Sequence, residues 1–93
     1  MIAGFRGRKT LQFFQGQDVR EFRGFARQAI RRLTMLDNAE TLRDLAGLGS
    51  NRLERLSGDR NGQYSIRINQ QWRICFQWGE TGPYDVEIVD YHR

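Results

Sequence analysis

The apolar residues of this chain change step once, near Arg52, and that switch restricts the fold more than any other feature. Before it, Val19, Phe22, Ala26, Ala29, Leu33 and Leu36 recur in alternating steps of three and four, the spacing of one face of an α-helix. After it the step is two. Tyr64, Ile66 and Ile68 alternate with Gln63, Ser65 and Arg67; Trp72, Ile74, Phe76 and Trp78 alternate with Arg73, Cys75 and Gln77; Val86 and Ile88 alternate with Glu87 and Val89. Helical spacing followed by strand spacing, with no return, predicts an α+β domain in which two or three N-terminal helices cover one face of a roughly four-stranded antiparallel sheet.

The punctuation supplies the finer expectations. Residues 1–5 are a short apolar entry, and residues 8–15 are predicted to form a two-turn helix that Gly16 ends. Asp18 with Glu21 three residues later has the form of a capping box, so the long amphipathic helix is expected to begin there and to break at Asp37, Asn38 and Ala39. Residues 40–45 make one or two further turns, and Gly47, Gly49, Ser50 and Asn51 a loop. Residues 52–56 read as a weak strand, 57–62 as a turn, 69–71 as a second turn and 79–83 as a third.

Ninety-three residues suffice for one domain, residues 1–93, that buries roughly 60–65% of its unfolded surface. Any site must therefore lie close to the core. Of the 15 basic side chains 14 are arginine, Lys9 being the lone lysine, and a planar guanidinium fork suits phosphate. Residues 1–36 carry a net charge of +6 and residues 37–93 a net charge of −2, so the N-terminal part supplies the positive field. With one cysteine, Cys75, no intrachain disulfide and no cysteine-based zinc site can form. No run approaches 18 apolar residues, and no secretory leader is recognisable, so the expectation is a soluble cytoplasmic protein without a membrane partner. Neither a metal nor another cofactor is expected.

Strand alternation places candidate chemistry on one surface. If Trp72, Ile74, Phe76 and Trp78 pack beneath the helices, Arg73 faces the opposite side, and Arg67 faces it from the neighbouring strand. Two arginines there are either ordinary solvated strand residues or a shared phosphate-binding surface. The chain's last strand runs into Asp90, Tyr91 and His92, where an imidazole can exchange protons near neutral pH, a phenol can stack or donate, and a carboxylate can orient the imidazole or merely end the strand. Glu54 is an exposed charge or a carboxylate at the mouth of the same face. Arg60, in the 57–62 turn, is a further phosphate candidate. On the long helix Arg20, Arg23, Arg27 and Arg31 form a stripe about 80° wide at 100° per residue, either a solvated face or a surface that steers RNA.

Several runs together resemble a known family: Asn51-Arg52-Leu53-Glu54, Leu56-Ser57-Gly58, Gly62-Gln63, Ser65-Ile66-Arg67, Gln71-Trp72-Arg73, Cys75-Phe76, and residues 86–92, Val-Glu-Ile-Val-Asp-Tyr-His. In order and spacing the chain resembles the HigB-type toxins of the RelE superfamily, most closely the GraT-like branch. The resemblance implies a RelE-like fold and a toxin that enters the ribosomal decoding site to cut mRNA. It also implies a HigA-type helix-turn-helix antitoxin that neutralises the toxin, with operator DNA bound only through that antitoxin. Arg73, Asp90, Tyr91 and His92 match the family's site pattern, and Arg67 lies near a second basic position. Where other relatives carry a His-Pro-Leu-Lys-Gly run, this chain has Glu54, Arg55, Leu56, Ser57 and Gly58.

The expected chemistry is metal-independent cleavage by attack of a ribose 2′-hydroxyl on the adjacent phosphorus. Arg73 and Arg67 would stabilise the phosphorane, His92 would transfer protons, Glu54 would be the fallback base, and Tyr91 would stack or act as acid. Two other readings stand beside it: a ribosome- or RNA-binding translation inhibitor that breaks no bond, and a protein-interaction module that uses its strand edges.

Overall fold

The structure is a computed structural model describing residues 1–91, so His92 lies outside the described residues. Its helical layer comprises α1 (Arg8–Phe14), a 3₁₀ helix (Arg20–Phe25), α2 (Ala26–Asn38) and α3 (Leu42–Ala46). The sheet contains β1 (Glu54–Arg55), β2 (Tyr64–Arg67), β3 (Trp72–Gly79) and β4 (Gly82–Asp90) in the order β1-β2-β3-β4, all neighbours antiparallel. The α+β architecture expected from the change of step is the observed one.

Helices and sheet meet through the residues that set the two periods. Ala29, Leu33 and Leu36 on α2 are completely buried, and with Leu45 of α3 they pack in one cluster with Ile66, Ile74, Phe76, Val86 and Ile88. Burying Leu33 and Leu36 contributes about 1.5–3 kcal/mol each. An aromatic seam extends the core: Phe22 stands edge-on to Phe13 at 5.3 Å and to Trp72 at 5.9 Å, while Phe25 lies 4.8 Å from Trp72. Arg32 ties α2 to the sheet directly, donating from Nε to the Arg67 carbonyl at 3.1 Å.

Three expectations about element boundaries need correction. The long helix does not begin at Asp18: residues 20–25 are 3₁₀, α2 starts at Ala26, and Asp18 caps nothing, its carboxylate instead accepting two bonds from Arg23 Nε at 2.9 and 3.0 Å. Arg20 and Arg23 therefore lie on a different helix from Arg27 and Arg31, and the stripe drawn at 100° per residue is broken between them. The 52–56 strand shrinks to Glu54 and Arg55: Arg52 adopts a left-handed conformation, φ 45° and ψ 56°, that cannot join a ladder, and beyond Arg55 the Leu56 amide still donates to the Gln63 carbonyl at 2.8 Å. The 79–83 turn is shorter than expected, since Gly79 already pairs with Gly82 and Pro83 with Trp78. The real capping box sits at α3, where Thr41 Oγ1 accepts from the Asp44 amide and Asp44 Oδ2 accepts from the Thr41 amide.

Both sheet edges are managed. Residues 3–6 run along the outer edge of β4, with the Ala3 amide donating to Pro83, Arg6 to Val86 and Val86 back to Gly4; Phe5 and Val86 form a parallel bridge. Further along, the Ile88 amide donates to the buried Thr10 Oγ1 at 3.0 Å. The apolar entry thus covers an edge that would otherwise offer unpaired groups to another chain. The opposite edge is the two-residue β1, whose Glu54 and Arg55 are exposed.

Candidate active site

Alternation along the sheet assigns its second face. Glu54 pairs with Ser65, Ser65 with Cys75, Cys75 with Glu87, Arg67 with Arg73 and Arg73 with Val89. Residues directly opposite in a ladder share a face, so Arg67 and Arg73 stand side by side on the surface away from the helices. The expected pairing of two arginines on adjacent strands is present.

The expectation that this face is open fails at Arg73, which is 7% exposed. A buried guanidinium requires acceptors, and they are supplied. Nε donates to Ser65 Oγ at 2.7 Å, and Nη2 donates to the Arg52 carbonyl at 2.6 Å. Glu54 Oε1 lies 3.1 Å from Nη2 as an ion-pair partner. The Tyr91 ring stands over the guanidinium, 5.6 Å from Cζ to the ring centroid, within cation–π range. The pair is asymmetric: the Arg73 side chain is 9% exposed and that of Glu54 55%, so the arginine is fixed while the carboxylate has room to swing toward solvent.

The remaining candidates divide by location. Arg67 is half-buried and donates from Nε to the Asn69 carbonyl at 3.2 Å. Arg60 bonds through Nη1 to Gln63 Oε1 and Glu87 Oε1, at 3.1 and 3.3 Å, clasping the 57–62 turn to β4 beside the same face. Asp90 ends β4, as one of its two expected roles had it; it pairs with Trp72, on the helix-facing side of the pleat, and its Oδ2 accepts from Gln71 Nε2 at 3.0 Å. The alternation that brings Tyr91 to Arg73 turns Asp90 away. Arg23, Arg27 and Arg31 belong to the helical layer, across the sheet from Arg73, and are exposed. Arg23 is held by Asp18, and that hydrogen-bonded contact keeps the Asp18 carboxyl below its ordinary range.

Two site components escaped the sequence reading. Ser65 was one more outward-facing strand residue, yet it is fully buried as the acceptor for Arg73. Arg52 contributes through its backbone carbonyl, for which side-chain chemistry gives no signal. Cys75, next on the face, is fully buried, and burial raises its thiol pKa, with Glu87 adding to the shift and Arg60 and Arg73 opposing it. Among the described residues no group of three His, Cys, Asp or Glu side chains is placed to hold a metal ion. No helix among them is long and apolar enough to cross a membrane.

Phosphate binding and proton transfer are both within the chemistry of this arrangement, since an exposed carboxylate and an aromatic ring each contact one nearly buried cation. Comparison with known proteins identifies the family. Residues 3–92 match the profile of the HigB-like toxin family, described as the RelE-like toxin of the type II toxin–antitoxin system HigB. Toxin HigB-1 of Vibrio cholerae is 46% identical over 48 residues, covering 52% of this chain and 50% of that protein. Endoribonuclease HigB of Proteus vulgaris is 42% identical over 41 residues, 44% of this chain and 45% of that one. The chain thus spans about half the length of the curated relatives it matches. The toxin–antitoxin complex YoeB–YefM from Staphylococcus aureus contains a chain that matches with a TM-score of 0.62 at 20% identity, covering 100% of this chain and 97% of that one. A heterotetrameric YoeB–YefM complex from the same organism matches at 0.59 and 18%, with the same coverage. At these identities the structural matches establish a shared fold.

Proposed function

The chain belongs to the HigB-like toxin family, and from that premise we propose that it is the toxin of a type II toxin–antitoxin pair and an endoribonuclease that cuts mRNA on the ribosome. The observation that carries this reading is the Arg73 guanidinium, held on the sheet face away from the helices, nearly buried, between Glu54 and Tyr91. Its partners are the ribosome with its mRNA and an antitoxin of the HigA type, whose helix-turn-helix would bind operator DNA. The YoeB chains that share the fold are themselves found in complex with YefM, which supports an antitoxin partner.

In the proposed reaction Glu54 takes the proton from a ribose 2′-hydroxyl. The 2′-oxygen attacks the adjacent phosphorus in line, the bond from phosphorus to the 5′-oxygen breaks, and that oxygen is protonated as it leaves. The products are a 2′,3′-cyclic phosphate and a 5′-hydroxyl. Arg73 stabilises charge on the non-bridging oxygens, where a preorganised donor contributes about 2.7–4 kcal/mol. A base and a phosphate ligand must be close neighbours in such a reaction, because the 2′-oxygen and the phosphate belong to the same nucleotide; Glu54 and Arg73 meet this requirement at 3.1 Å. Tyr91 stacks on the substrate or donates a proton, and His92 serves as the acid for the leaving oxygen. Arg67 and Arg60 add positive charge beside the scissile group. Positioning by the ribosome supplies further rate enhancement.

The test is cleavage of mRNA on programmed ribosomes by the wild type and by Arg73→Ala, mapped by primer extension. Cutting by the wild type and loss of at least about 100-fold in the variant support the proposal. Equal rates overturn it, and arrested translation over intact mRNA replaces it with the non-catalytic inhibitor.

A further inference from the structure

Besides Glu54 and Tyr91, Arg73 is held by two neighbours, one a fully buried hydroxyl on its own face of the sheet and the other a backbone carbonyl in a left-handed conformation. Ser65 is fully buried on β2 and sets its Oγ 2.7 Å from Arg73 Nε. Arg52 sits at φ 45°, a conformation that costs a non-glycine residue energy, and its carbonyl reaches Arg73 Nη2 at 2.6 Å. That conformation ends the short 3₁₀ turn Gly49–Asn51, which is itself anchored: Asn51 is fully buried and donates from Nδ2 to the Leu45 carbonyl at 3.1 Å. A path of fixed backbone therefore runs from α3 to the guanidinium.

We infer that the Ser65 hydroxyl and the Arg52 carbonyl are positioning elements that orient Arg73 for phosphate. They engage Nε and Nη2, with the Ser65 carbonyl a third acceptor 3.5 Å from Nη2, and so fix the guanidinium plane with Nη2 against Glu54. Arginine is a long, flexible side chain, and one fixed in advance needs no reorganisation as charge develops on the phosphorane. Glu54, more than half exposed, is the contact that an arriving phosphate displaces, whereas the bonds to Ser65 and Arg52 persist through the reaction. The inference deepens the proposed function and rests on the reading of Arg73 as the phosphate ligand.

Kinetics and spectroscopy test it together. Ser65→Ala is expected to lower kcat by about 10–100-fold with KM changed by less than about 3-fold, the signature of lost transition-state positioning. Ser65→Thr, which keeps an acceptor, recovers most of the loss. In Arg73→Ala, added methylguanidinium restores cleavage, and in the Arg73→Ala/Ser65→Ala double variant it does not. Arg52→Gly and Arg52→Val both remove the side chain, but only valine opposes the left-handed backbone, so the valine variant alone is expected to lose further activity. The Arg73 Nε–H resonance reports positioning without any substrate: slow solvent exchange in the wild type, Ser65→Thr and Arg52→Gly, fast exchange in Ser65→Ala. A natively folded Ser65→Ala protein with wild-type kcat, or with the Nε–H exchanging as slowly as in the wild type, overturns the inference. A wild type that cuts no RNA defeats the nuclease reading instead, and the resonance still decides the positioning claim.

Discussion

Replacing Glu54 by glutamine separates chemistry from stability. The substitution keeps the size of the side chain and its ability to accept a bond from Arg73 Nη2, but removes both the charge and the capacity to take a proton. Its stability cost follows from the exposure of the pair: with Glu54 55% and Arg73 9% exposed at 3.1 Å, solvent screens much of the attraction. The loss should be under about 1 kcal/mol, and Arg73 keeps its bonds to Ser65 and the Arg52 carbonyl. The catalytic cost is far larger if Glu54 is the base, about 10²–10⁴-fold in single-turnover cleavage. The assay pairs urea unfolding of the isolated protein with single-turnover cutting of ribosome-bound mRNA. Near-native stability and a rate fall in that range are expected. A variant that cuts at the wild-type rate removes Glu54 from the base role.

Other perturbations probe the scaffold. Gly82 has φ 121°, and a Cβ there would stand 2.3 Å from the Met1 carbonyl oxygen; Gly82→Ala should destabilise by about 1–3 kcal/mol and speed amide exchange at Ala3 and Arg6, and unchanged exchange would show that the N-terminal segment docks independently of this glycine. Cys75, fully buried with its thiol pKa raised, should resist alkylation in the native protein at pH 8 and react once urea unfolds it. The Asp44 carboxyl is held below its ordinary range by the backbone amides of Glu40 and Thr41. Its folded value lies below the unfolded one, so the stabilisation from the α3 cap is fully present above the unfolded value and lost as pH falls through the folded one. Amide shifts of Glu40 and Thr41 should titrate there, below the range of a free aspartate.

The change of apolar step near Arg52 was sufficient to separate helices from sheet, because a period reflects which face is buried whatever the tertiary partner. The same alternation brought Arg67 and Arg73 to one face, and they occupy paired positions in the ladder. Periodicity misled where two periods overlap. Val19, Phe22 and Phe25 are all buried and recur in strict threes, the 3₁₀ step, with Gly24 between the last two; a wheel at 100° per residue absorbed the first two into a longer α-helix and passed over Phe25. The docking of residues 3–6 on β4 was invisible because its bonds join backbone groups from opposite ends of the chain. The burial of Arg73 was hidden for a related reason. An arginine on a strand reads as outward and solvated until acceptors are known, and one of its acceptors is a carbonyl, which every residue carries. Asp90 stands across the pleat from Arg73 and is the last residue of β4, one of the two roles its position offered; His92, the group it would orient in the other, lies outside the described residues.

Cutting of an mRNA that carries a single 2′-deoxynucleotide on the 5′ side of the scissile bond, placed in the ribosomal decoding site, bears most directly on the account. With the nucleophile deleted, the deoxy substrate should survive while the all-ribose control is cut to a fragment ending in a 2′,3′-cyclic phosphate. Cleavage of both substrates at the same rate would contradict it.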